Sequence, residues 1–289
     1  MQRFLTAGLA VGLVVALVRG QDGPVTIKIR QQEVGDAVKQ TETSSFSLKT
    51  TITGLGKPQE RSEATTHKFV ARQEVLDKAA DAKSPTKWKW TLLAVEQTPE
   101  DKVKDAGLIG KPLVIEKKGD KLVGTFADGK PLSEEQERFF DAHQRMDADE
   151  KSFHAQVFPK KPVTVGEAWT ADVAELGKSF DTAEIDLKKS SATGKLTKVY
   201  KKDGLTFGVL EFKVQLVLTK LRTVPKGQLK DGSMVLIDAT YDLCIDGTST
   251  AGTIASTVKV EMDAIDEVGV GNKTTMIMKN TLTTEPVKK

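Results

Sequence analysis

Alternation of apolar and polar residues constrains this chain more than any other feature. Trp88, Trp90 and Leu92 alternate with Lys89 and Thr91, and Val258, Val260, Met262 and Ala264 alternate with Lys259, Glu261 and Asp263. Val235, Ile237, Ala239, Tyr241, Leu243 and Ile245 alternate with mostly polar neighbours. A period of two sends successive side chains to opposite sides of an extended backbone, so each stretch predicts a strand with one buried face.

The run LTFGVLEFKVQLVLTKL changes register midway. Leu205, Phe207 and Val209 share one parity, then Leu210, Phe212, Val214, Leu216 and Leu218 take over. One extra residue in a strand is a bulge, which predicts a bend at Val209-Leu210. Asp203-Gly204 is a hairpin signal before this strand, and similar turns occur at Lys118-Gly119-Asp120, Asp128-Gly129 and Asp246-Gly247. Strands separated by turns rather than helices predict antiparallel meanders. The fold class that follows is mainly β, with strongly curved antiparallel sheets of half-barrel or barrel type.

Helical signals concentrate in one place. Ser133 with Gln136 forms a capping box with an acidic first turn, and Phe139, Phe140, His143 and Met146 follow at helical spacing. A second cap, Asp147 with Glu150, precedes Phe153 and Val157, and Pro159 forbids continuation. A helical connector over 133–157 therefore divides a β-rich half, 21–132, from another, 158–289, whether as two domains or as one.

The first residues, MQRFLTAGLAVGLVVALVRG, place Arg3 before an uncharged run from Phe4 to Val18, with Val18 and Gly20 at the −3 and −1 positions of a cleavage site. This reads as a signal peptide over 1–20. The fifteen-residue run falls short of the ~20 residues a membrane-spanning helix needs, so no stable membrane anchor is expected after cleavage. The expected location is periplasmic or secreted. With Lys plus Arg at 43, Asp plus Glu at 40 and both signs interleaved, no basic footprint for nucleic acid is expected. Cys244 is the one cysteine, so no intrachain disulfide forms, and a chain of 289 residues can rely on its core instead.

The stretch FPKKPVTVGEAWT, 158–170, reads as a corner in a sheet. Pro159 and Pro162 favour extended backbone, Gly166 permits positive φ, and Trp169, Ala171 and Val173 restart an alternation. Together with GKPLVIEKKGDKLVGTFADGKPLS and GKLTKVYKKDGLTFGVLEFKV, the chain over 105–220 resembles a group of exported bacterial proteins of unknown function, common in planctomycete-type genomes. The pattern P-x-K-P-V-x-V-G-x-x-W at Pro159 to Trp169 carries most of this resemblance, which implies export and a β-rich body and brings no catalytic residues with it.

No catalytic, cofactor or metal set emerges. His67, His143 and His154 have no partner at metal-ligand spacing, and the acids Asp141, Asp147, Asp149 and Glu150 near two of them read as a solvated helical face. No G-x-S-x-G elbow occurs, and Gly54-Leu55-Gly56 is not a dinucleotide fingerprint in a chain without alternating helices. Cys244 shares a strand parity with Asp238, Thr240, Asp242 and Asp246, acidic neighbours that disfavour a nucleophilic thiolate. Asp238 and Asp242, four apart on a strand, lie roughly 13 Å apart, too far for a glycosidase pair. Asn272-Lys273-Thr274 is a glycosylation sequon that matters only in a eukaryotic source.

The expectation is a non-enzymatic exported protein that binds a hydrophobic small molecule, a lipid or an envelope component, with Trp88, Trp90 and Trp169 as candidate ligand-binding residues. A structural or interaction protein of the cell envelope without a cavity is the alternative, and a hydrolase the second alternative.

Overall fold

The computed structural model describes residues 23–54, 56–79, 84–99, 105–119, 121–141, 156–178, 183–221 and 228–287. The signal-peptide reading, His143, Met146 and His154 lie outside them. Among the described residues, thirteen strands join in one antiparallel sheet. In chain order they are β1 (Ala37–Thr53), β2 (Gln59–Asp77), β3 (Lys87–Thr98), β4 (Pro112–Lys118), β5 (Lys121–Phe126), β6 (Ala168–Thr170), β7 (Ala183–Ile185), β8 (Ser191–Lys202), β9 (Leu205–Leu221), β10 (Gln228–Leu229), β11 (Met234–Cys244), β12 (Gly252–Ile265) and β13 (Gly271–Pro286). Across the sheet they run β5-β4-β3-β2-β1-β13-β12-β11-β9-β8-β6, with β10 on β12 and β7 on β9. Pairing of β1 with β13 joins the two β-rich halves of the chain.

The sheet is neither closed nor strongly curled, so the expected barrel is not formed. The physical reason lies in the register. From Val38↔Pro286 to Thr53↔Gly271, and from Gly252↔Thr284 to Ile265↔Gly271, the central strands pair without interruption. Shifts occur only nearer the flanks, at Leu93 of β3, Leu76 of β2, Thr197 of β8 and in the short β7–β9 pairing. Without bulges in the middle, the sheet has no corners at which to turn.

The bulge expected in β9 falls on its partner. Leu196 pairs with Leu210 and Lys198 with Val209, leaving Thr197 as the extra residue of β8, while β9 pairs with β11 in unbroken register. The change of parity in β9 has another cause. Leu210, Phe212, Val214 and Leu216 point to the main core, whereas Phe207 points to the other face, where it is buried against the Tyr200 ring at 5.5 Å. The β8–β9 turn at Asp203 (φ 52°) and Gly204 (φ 80°) is the left-handed pair that an Asp-Gly hairpin requires.

One face of the sheet, the packed face, is covered at both flanks. Over β3–β5, helix α1 (residues 134–141) lays Phe139 and Phe140 on Trp90, Leu92, Leu113 and Ile115. Phe140 and Leu132 press on Gly124, where an added Cβ would lie 3.2–3.3 Å from them. The capping box is made as expected, with the Ser133 amide donating to Gln136 Oε1 at 2.9 Å. Of the connector expected over 133–157, residues 134–141 and 156–157 are helical, and the span between them lies outside the described residues. Over β8–β12, residues Val157 and Val163 and helix α2 (Val173–Lys178) cover Leu196, Leu210, Phe212, Ile237 and Tyr241.

Between these two cores no described element lies over the packed face. Here β1, β13 and β12 are half-buried along most of their length. Among the described residues the molecule is thus two-layered at its flanks and a single layer of sheet in the middle.

Candidate functional site

Pairing places the side chains of that middle region in cross-strand rows. Val258, Met278 and Phe46 form one row, and Val260, Met276 and Leu48 form the next. Phe46, Leu48 and Met276 are half-buried and Met278 is 38% exposed. Val258, Val260 and Met276 lean on the core over β8–β12, whereas Phe46, Leu48 and Met278 belong to neither core. Beside these rows runs a polar one of Ser256, Asn280, Ser44 and His67, and beyond it Ile254, Leu282, Glu42 and Phe69. Asn280 Oδ1 is buried and accepts no hydrogen bond from the described residues. The result is an apolar strip with a polar seam, walled by two cores.

The reverse, polar face carries Thr, Ser, Lys and acids, and it holds two open hollows. One, of about 340 Å³, is floored by Ala255 and rimmed by Glu211, Lys213, Asp238 and Lys279. The other, of about 440 Å³, lies against Ser47, Lys49, Ser62, Ala64, Thr275 and Ile277. Neither lies between the sheet and α1.

The three tryptophans occupy packed positions. Trp88 and Trp90 are 8% and 3% exposed in the core over β3–β5, with Phe69 stacked on Trp90 at 5.6 Å. Trp169 lies flat on Gly194, donates its indole Nε1–H to Val157 O at 2.8 Å, and meets Phe212 edge-on at 5.8 Å. The corner around it is made by Val25 bridging Val163, Gly166 at φ 91°, and Glu167 accepting from the Thr164 amide and hydroxyl.

Asp242 and Cys244 of β11 are held by structural partners. The Tyr200 hydroxyl donates to Asp242 at 2.8 Å, and burial, then the carboxylate, push its pKa up to about 12. Cys244 is buried and its thiol lies 3.1 Å from Asp246 Oδ1. Asp246 also accepts from the Thr248 hydroxyl and amide and from the Thr206 amide, and these donors hold its carboxyl well below the usual range. Asp238 is exposed at the rim of the hollow lined by Ala255, and His67 lies in the polar seam opposite Ser44. No group of three or more His, Cys, Asp or Glu able to hold a metal occurs among the described residues.

The strip itself was missed in the sequence. Its signal was present as Phe46-x-Leu48 and Met276-x-Met278, apolar at period two inside threonine-rich strands, and it needed only to be set apart from core positions.

No family model matches this chain, and no curated protein matches it. Among solved structures, one described as "Asymmetric conductivity of engineered proteins" aligns over 84% of this chain and 99% of that one, at 10% identity and a TM-score of 0.22. A likeness at that level carries no argument.

Proposed function

We propose that this chain is an exported, non-enzymatic binding protein that holds an elongated apolar ligand of the acyl-chain type along the strip of its packed face that no described element covers. The observation that carries the reading is the cluster of Phe46, Leu48, Met276 and Met278, left half-exposed between two covered cores. A contiguous apolar patch is costly to leave in water and marks interaction surfaces, and methionine adapts its shape to varied apolar partners. The two walls limit a ligand's position, and the seam of Ser44, His67, Ser256 and Asn280 offers hydrogen bonds to a polar head. A non-enzymatic role is consistent with Tyr200, Asp242, Cys244 and Asp246 being engaged within the fold. Export to the periplasm or beyond rests on the basic-apolar start of the chain and on the resemblance described above.

The test is titration of the delipidated protein with a fluorescent long-chain fatty acid. Saturable binding is expected, weakened at least tenfold by Phe46→Asp combined with Met278→Asp, with the far-ultraviolet circular dichroism unchanged. Absence of saturable binding, together with no lipid extracted from the freshly purified protein, would remove the reading. A second reading, an interaction module for an envelope protein, is favoured by the openness of the two hollows on the reverse face and by the charged side chains of Glu211, Lys213, Asp238 and Lys279 around one of them. Retention of an envelope protein by the wild type and loss of that retention on Asp238→Lys would favour it.

A further inference from the structure

Strand β2 is longer than its neighbour on one side. From Thr66 to Asp77 it pairs with β3, but from Gln59 to Thr65 its outer edge meets no strand among the described residues. Its inner edge over the same stretch is fully paired with β1. The segment is exposed from Gln59 to Ala64 and contains no proline or glycine, so its backbone remains free to extend a ladder. Unpaired edges of this kind are templates for another strand, and charged side chains usually discourage the pairing.

Here the charges select a register instead. We propose that two copies of this chain join antiparallel through these edges, with Ser62 on the two-fold axis. That register sets Arg61 of each copy opposite Glu63 of the other, with Ser62 facing its own counterpart and Gln59 facing Thr65. Facing residues of an antiparallel pair share a face, so the axis falls on a residue, and moving it onto Glu60, Arg61 or Glu63 sets like charges opposite one another. Only the Ser62-centred pairing matches opposite signs without a like-charge contact. Neither Arg61 nor Glu63 forms an ion pair among the described residues, so both are available, whereas Glu60 is already engaged by Lys49 at 3.2 Å. The axis is isologous and perpendicular to the sheet, so the packed faces of both copies continue on one side.

The seam is short. It buries less than the ~1,200 Å² typical of stable interfaces, so the dimer assembles with concentration rather than being obligate. Sedimentation equilibrium of the full chain from micromolar to millimolar concentration tests this. A monomer–dimer equilibrium is expected in the wild type. Arg61→Glu alone and Glu63→Arg alone should each weaken it at least tenfold, and the double exchange should restore it. Both positions are solvent-exposed, and circular dichroism checks that each variant is folded. A wild type that stays monomeric, single variants that associate as well as wild type, or a double variant that stays monomeric would each overturn the proposal, as would a monomer whose edge accepts an extended peptide instead.

Discussion

Tyr200 shows how one residue's chemistry is set by its surroundings. Its ring stacks on Phe207, Lys198 Nζ sits 4.9 Å above it, and its hydroxyl is committed to Asp242. The phenol therefore stays protonated in the folded protein to about pH 12, whereas in the unfolded chain it ionises near the ordinary value of 10.0. The folded state holds the proton more tightly, so this contribution to stability is complete below pH 10 and is lost as pH rises towards 12. Nuclear magnetic resonance of carbon-13-labelled tyrosine should show that high midpoint. Asp242→Asn should lower it while leaving it above the ordinary value, because burial is the larger cause. Gly194 is a contrasting residue, whose role could not be read from the chain. A Cβ there would lie 2.4 Å from the Trp169 ring, yet nothing local in GKLT distinguishes that glycine from a turn glycine. Its requirement comes from a ring twenty-five positions away.

At the scale of the element, the β8–β9 hairpin joins local and nonlocal causes. Its turn was legible in Asp203-Gly204, because positive φ at both central residues is a property of two adjacent residues. Its bulge was legible only as a disturbance. The parity change in β9 pointed to an extra residue but could not assign it, since a register shift belongs to a pair of strands and the partner was unknown. Thr197 takes that position, its hydroxyl donating to Val209 O at 3.2 Å. Deleting Thr197 should bring Leu196↔Leu210 and Lys198↔Val209 together as successive steps of a regular ladder, with Tyr200 still opposite Phe207 and bonded to Asp242. The expected outcome is a change of no more than about 1 kcal/mol in urea unfolding, with the Tyr200 midpoint kept high, whereas a large loss together with a fall of that midpoint would show that the bulge itself sets the register.

At the scale of the whole molecule, one sheet links two cores. Trp88 and Trp90 lie in the core over β3–β5, and Trp169 packs on the core over β8–β12. The strands between them are paired over long unbroken registers, so loss of either core exposes the edge of the same ribbon. Unfolding should therefore be one cooperative transition, with tryptophan fluorescence and far-ultraviolet circular dichroism coinciding. Leu113→Ala, at a fully buried position on Trp90, should cost about 2–4 kcal/mol and shift both probes together. Two separate transitions would show that the strands β1, β13 and β12 do not couple the cores.

The strand content, the antiparallel meander, the hairpin turns and the capping box over Ser133 were determined by the sequence alone, because each depends on residues that are neighbours along the chain or recur at a fixed period. The openness of the sheet, the placement of both covers on one face, the strip of Phe46, Leu48, Met276 and Met278, and the unpaired edge of β2 were decided only in the tertiary structure. An alternating strand declares that one of its faces is apolar, but whether a second layer covers that face depends on where segments more than a hundred residues distant come to rest.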